Sequence, residues 1–216
     1  EELAIRCKLI RNHGENAVDD FGIKDISHTM GLNFRMTEIE AGIANAQLDK
    51  LDHLYSVRNQ LAEYLTQKLL SIPGITPPYI QENTTSAYYL YSIKIQSEDL
   101  HVLRETFCQA LMAEGIPIEQ GYVKPLYLQS MYQQRKGRVQ TPSEDICGLC
   151  GSKKNHVCKF NKGICPVVED MHFSKLFLGD FCHDPLTTND MDDIANAFYK
   201  ISDNMSALID YDKSNK

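Results

Sequence analysis

The chain has 216 residues, 43% of them hydrophobic and 24% charged, enough to build a proper core and of a length for one large domain or one and a half ordinary ones. Its net charge of −7 excludes a general nucleic-acid binder, so any phosphate must be met by a local basic cluster. No apolar stretch approaches the roughly 18–20 residues that span a bilayer, and seven cysteines, an odd number, fit a reducing, cytoplasmic setting better than a disulfide scaffold.

The opening Glu1-Glu2-Leu3 has neither an initiator Met nor a signal-peptide core and reads as the middle of a helix. Residues 1–11 place Leu3, Ala4, Cys7, Leu9 and Ile10 on a helical face that ends at Asn12-His13-Gly14, with Gly14 suited to a left-handed cap. Residues 15–36 read as loop. Thr37-Glu38-Ile39-Glu40 is a capping box, in which the Thr37 hydroxyl takes the amide three residues on and Glu40 reaches back. After it Ile39, Ile43, Ala46, Leu51, Leu54, Leu61, Leu65 and Leu69 recur every three to four residues, until Pro73-Gly74 stops the pattern. A single helix over 37–71 would be about 50 Å long, a spine between domains; two helices kinked near His53 are the alternative.

Just ahead of that helix, Asn33 and Arg35 stand two apart in an extended lead-in, so their side chains point the same way. An amide donor, a guanidinium fork and a helix N-terminus together make a phosphate-binding corner. The competing reading pairs Arg35 with Glu38 or Asp25 and leaves Asn33 to shape a turn.

Ala87 to Gln96 is strand-like, and Leu100 to Glu114 reads as a helix closed by Gly115. Residues 116–128 are extended and punctuated by proline. Residues 129–164 are too long and polar for an ordinary connection and form an insertion, Cys-rich at about 141–163. Within it Cys147, Cys150, His156 and Cys158 have the spacing of a tetrahedral zinc site that would order the loop; free thiols, and a redox or disulfide role, are the alternatives. Pro166 opens a helix carrying Val167, Val168, Met171 and Leu176. Thr188-Asn189-Asp190 caps a last amphipathic helix through Ile194, Ala197, Phe198 and Ile201, and the polar tail from about Asp210 is expected to fray. The expected organisation is therefore 1–36, the helix 37–71, a compact unit 72–209 and a tail 210–216.

Four segments in order, Leu9–Gly14 (LIRNHG), Gly31–Leu51 (GLNFRMTEIEAGIANAQLDKL), Gly121–Gln129 (GYVKPLYLQ) and Gly163–Glu169 (GICPVVE), resemble the DegT/DnrJ-type nucleotide-sugar aminotransferases, which depend on pyridoxal 5′-phosphate (PLP). The ending from Pro185 resembles the last helix of that family. The resemblance implies an α/β chain forming the C-terminal part of a fold type I PLP enzyme: a remnant of the large domain, a linking helix, and a small α/β domain with a short antiparallel sheet. It implies a homodimer in which Asn33, with Arg35 beside it, reaches the PLP phosphate of the partner subunit. Tyr122 and Lys124 would border the diphosphate or sugar of the substrate, while Tyr127 packs and Glu169 caps or pairs.

In such enzymes an amino group passes from an amino acid, usually glutamate, to a keto sugar on a nucleotide diphosphate, for cell-surface polysaccharide or secondary-metabolite sugars. The cofactor-bearing lysine of the family precedes a Gly-Glu-Gly-Gly run, upstream of the region that residues 1–14 resemble, and this sequence holds no Gly-Gly pair. The expectation is a chain with no catalytic residue of its own, inactive alone, and part of an enzyme nearly twice as long. A stand-alone metal-stabilised interaction module and a fragment of a related PLP sugar dehydratase are the other readings.

Overall fold

A computed structural model of the chain describes residues 2–14, 31–134 and 160–215. The chain divides into two units, Glu1–Asp52 and His53–Lys216.

In the first unit, helix α1 (Glu2–Arg11) ends in a turn where His13 (φ 62°) and Gly14 (φ 75°) are both left-handed. The Gly14 amide donates back to the Leu9 carbonyl at 2.8 Å, so an orphan carbonyl of the helix end is satisfied. Residues 31–34 run extended along this turn: Leu32 N–H donates to Ile10 O (2.8 Å), His13 N–H to Leu32 O (3.0 Å) and Phe34 N–H to Arg11 O (3.0 Å). Asn12 and Asn33 thereby pair as an antiparallel bridge. Helix α2 (Glu38–Leu69) follows as one uninterrupted helix, opened by the expected capping box: Thr37 N–H to Glu40 Oε2 at 2.7 Å and Glu40 N–H to Thr37 Oγ1 at 3.2 Å.

In the second unit the chain runs through β1 (Ile75–Thr76), β2 (Tyr91–Ile95), α3 (Ser97–Leu100), α4 (Arg104–Ala113), β3 (Ile118–Gln120), a 3₁₀ turn (Leu126–Leu128) and α5 (Ser130–Gln134). It resumes with α6 (Pro166–Asp170), a wide π-type turn (Met171–Lys175), β4 (Leu176–Gly179), α7 (Thr188–Asp203) and α8 (Met205–Ser214). The four strands form one antiparallel sheet in the order β1-β2-β4-β3. Strand β2 buries Tyr91, Ile93 and Ile95 in strict alternation, the period of a pleated strand. Leu61, Ala62, Leu65 and Leu69 of α2, Phe107 and Leu111 of α4, and Met191, Phe198 and Ile201 of α7 share one core with them. The α/β class with a short antiparallel sheet is the one the resemblance implies.

Four local expectations are corrected. The helix opened by Pro166 stops at Asp170, and Leu176, read as part of it, instead begins a strand, Leu176–Gly179, between β2 and β3. Its four residues are too few to show a period, and pairing on both edges fixes their state. The helix expected over 100–114 starts at Arg104, because His101 takes a left-handed conformation (φ 55°) that separates it from α3. The last long helix is capped by Thr187, whose box partner is Asp190. The expected tail is helix α8, held by buried Asp212, which accepts the Leu103 amide at 2.7 Å and the Thr106 hydroxyl. Among the described residues no helix is long and apolar enough to cross a membrane.

Candidate functional site

Asn33, Phe34, Arg35, Met36 and Glu40 line one shallow hollow of about 510 Å³ at the start of α2. The extended lead-in that brings Asn33 and Arg35 there rests on the Asn12-His13-Gly14 turn. A Cβ on Gly31 would meet the Gly14 nitrogen at 2.0 Å and the His13 carbonyl carbon at 2.1 Å, so only glycine lets the two segments lie together. Asn33 Oδ1 accepts the Arg35 amide at 3.4 Å, which turns the oxygen end of the side chain to the backbone and leaves the NH₂ end as donor. Among the described residues Arg35 enters no ion pair, and the pairing with Glu38 is not formed.

Glu40 also borders the hollow. Its bonds from the Thr37 backbone and hydroxyl hold its carboxyl below the usual carboxylate range, so it is an anion already matched by the cap. Of the residues that line the hollow it is the one carboxylate, and Asn33 and Arg35 are the groups there that can meet an anion. The amides of Glu38 and Ile39, in the first turn, have no acceptor within the helix and add the positive end of its dipole.

In the second unit, Tyr122 and Lys124 are exposed on the loop after β3. The loop is anchored from beneath. Gly121 (φ 71°) donates its N–H to Leu176 O at 2.7 Å, and a Cβ there would stand 2.8 Å from His172 Nδ1. The Tyr122 amide donates to His172 Nδ1 at 3.4 Å, and Arg104 Nη1 donates to the carbonyls of His172 (2.7 Å) and Leu176 (2.9 Å). Burial, and then the Arg104 charge, lower the His172 pKa, which keeps the ring neutral and its Nδ1 an acceptor.

Tyr127 and Glu169 do something the sequence did not suggest. The Tyr127 hydroxyl donates to Glu169 Oε1 at 2.5 Å and the Gly163 amide to the same oxygen at 2.6 Å. Residues forty-two apart are thus clasped across the two ends of the insertion. Burial first, and Glu169 second, push the Tyr127 phenol up to about 12, while Tyr127 and Gly163 draw the Glu169 carboxyl down. A depressed acid contributes above its unfolded pKa, and that contribution is lost as pH falls through the lower folded value. Glu169→Gln is expected to bring the Tyr127 pKa down from about 12, read in a ¹³Cζ-tyrosine NMR titration; an unmoved titration would contradict the clasp.

Cys147, Cys150, His156 and Cys158 lie outside the described residues. Among the described residues no group of three or more His, Cys, Asp or Glu side chains is placed to hold a metal ion, and Cys165, at the start of α6, is a free thiol.

The model of the DegT/DnrJ/EryC1/StrS aminotransferase family matches residues 1–152. The UDP-4-amino-4,6-dideoxy-N-acetyl-beta-L-altrosamine transaminase of Campylobacter jejuni is 26% identical over 147 residues, which is 67% of this chain and 38% of that protein. The erythromycin biosynthesis sensory transduction protein EryC1 of Saccharopolyspora erythraea is 28% identical over 130 residues, 60% of this chain and 32% of that protein. Among solved structures, Helicobacter pylori PseC, an aminotransferase involved in the biosynthesis of pseudoaminic acid, shares the fold with a TM-score of 0.62 at 23% identity, over 94% of this chain and 47% of that one. DesI, solved with its TDP-sugar product, shares it with a TM-score of 0.66 at 14% identity, over 99% of this chain and 46% of that one. The chain therefore spans less than half the length of the relatives it matches. With the match running through the lead-in, the helix start and the loop of Tyr122 and Lys124, the chain belongs to the DegT/DnrJ/EryC1/StrS aminotransferase family.

Proposed function

We propose that this chain is the C-terminal portion of a PLP-dependent aminotransferase that passes an amino group from glutamate to a nucleotide-linked keto sugar, and that it works as a cytoplasmic homodimer. One observation carries the reading: in a member of this family, an amide donor and a guanidinium with no carboxylate partner among the described residues line one hollow at a helix N-terminus. The residues present fit a phosphate there. The Asn33 NH₂ donates to one phosphate oxygen, Arg35 offers a two-pronged fork, and the first-turn amides of α2 add their dipole.

PLP, when bound, supplies the aldehyde that accepts the amino group and the electron-withdrawing ring that eases proton movement. Asn33 and Arg35 fix its phosphate, and so the direction of its ring, from the neighbouring subunit. Lys124 offers a point charge to the substrate diphosphate and the Tyr122 hydroxyl a hydrogen bond to phosphate or sugar, held at a fixed height by the neutral His172 beneath. Such positioning lowers the barrier by orientation alone. On this reading the lysine that holds the cofactor lies outside these residues, and the chain alone is inactive.

In the assembled enzyme, Asn33→Ala is expected to weaken PLP binding about 10–100-fold, the worth of one hydrogen bond to a charged group. Dialysis against decreasing PLP, followed by absorbance, reads this. An unchanged affinity would remove Asn33 from the site.

A further inference from the structure

A second hollow, in the His53–Lys216 unit, has a different chemistry. It holds about 250 Å³ between the later turns of α2 and residues 78–88. Sites for drug-sized ligands run from roughly 300 Å³ upward, so this one suits a single ring. Asn59, Thr66, Thr84, Thr85 and Ser86 supply neutral hydrogen-bonding groups, Glu63 the one charge, and neither Lys nor Arg lines it. A phosphate or carboxylate ligand would find no counter-charge.

The polar groups alternate in what they have left to offer. Thr84 Oγ1 already donates to Gln81 O at 2.6 Å, so it can accept; Ser86 Oγ already accepts the Tyr88 amide at 3.1 Å, so it can donate. Asn59 spends an N–H on Tyr55 O at 2.9 Å and keeps its oxygen. Interleaved donors and acceptors suit a ring of hydroxyls, each of which is both.

Tyr88 is held at φ 43°, a region bulky residues rarely adopt, by Arg58 Nη1 donating to its carbonyl at 2.8 Å. Strain of this kind persists where surroundings over-determine it, and it gathers at ligand sites. The buried Tyr88 ring is stacked on Tyr91, centroids 6.3 Å apart, and with Pro78 gives the hollow an apolar side.

We infer that this pocket is a second ligand site, which takes a small amine-bearing polyol, of the size and chemistry of a free aminopyranose. Hydroxyls meet the neutral groups, the apolar face of the ring meets Tyr88 and Pro78, and the ammonium meets Glu63. The site shares no residue with the phosphate corner and needs no PLP, so it stands or falls apart from the proposed transamination.

Ligand-observed NMR titration of the chain with glucosamine, glucose and glucosamine 6-phosphate tests it. Glucosamine is expected to bind saturably and glucose about 2–5-fold more weakly, the worth of one exposed ion pair. Glu63→Gln should erase that preference, Thr85→Val should weaken both sugars, and the phosphate ester should bind no better than glucosamine. Both positions are exposed, so neither variant endangers folding. No saturable glucosamine binding, an unaltered preference in Glu63→Gln, or tighter binding of the phosphate ester would each overturn the inference.

Discussion

Phe198→Ala is expected to cost about 3–5 kcal/mol of stability, the usual price of removing a buried aromatic ring from a packed core. Phe198 of α7 is fully buried between Phe107 of α4, at a centroid distance of 5.9 Å, and Phe177 of β4, at 6.2 Å; those two rings are themselves 6.2 Å apart. Three rings from two helices and an inner strand of the sheet meet at one point. No single element can move in to fill the void without leaving its other contacts, so collapse is limited and the cavity term stays large. Phe198→Leu, which keeps most of the volume, should cost about 1–2 kcal/mol. Urea unfolding of the two variants reads the difference, and a loss below about 1 kcal/mol for alanine would show that the rings do not lock the sheet to its helices.

Asp212→Ala is expected to cost about 2–3 kcal/mol and to lower the midpoint of thermal unfolding by roughly 4–12 °C. Helix α4 begins after Leu103, which has no side-chain acceptor for the exposed amides of a helix start. Asp212 supplies that acceptor from α8, taking the Leu103 amide with one oxygen and the Thr106 hydroxyl with the other. Removing the carboxylate leaves the buried Thr106 hydroxyl and the part-buried Leu103 amide without their acceptor and takes from α8 its polar tie to α4. Asp212→Asn keeps one acceptor oxygen and should cost about half as much. Circular dichroism melts of the three proteins check the order; equal melts for wild type and Asp212→Ala would return the end of the chain, from about Asp210, to the frayed tail expected from the sequence.

What was legible in the sequence was mostly local. The Thr37–Glu40 box, the recurrence of Leu61, Leu65 and Leu69, the alternation of β2 and the proline opening α6 each carry their signal within a turn or a strand. So did the two-residue spacing of Asn33 and Arg35, which line one hollow. Strand β4 carries no such signal: Leu176 to Gly179 follow a helical pattern, and their state is set by partners at Tyr91 to Lys94 on one side and Ile118 to Gln120 on the other. The same holds for Asp212, whose partners lie more than one hundred residues away, and for the Tyr127–Glu169 clasp. The role of Gly31 shows only once the lead-in is seen against the turn of His13 and Gly14. Composition named the chemistry of these residues, and pairing across the fold decided their use.

The most direct test of the phosphate corner is a crystal structure of the assembled, PLP-loaded enzyme. The account predicts Asn33 Nδ2 within about 3 Å of a phosphate oxygen on the cofactor of the partner subunit, with the Arg35 guanidinium alongside. A phosphate held by other groups, with both side chains turned to solvent, would contradict it.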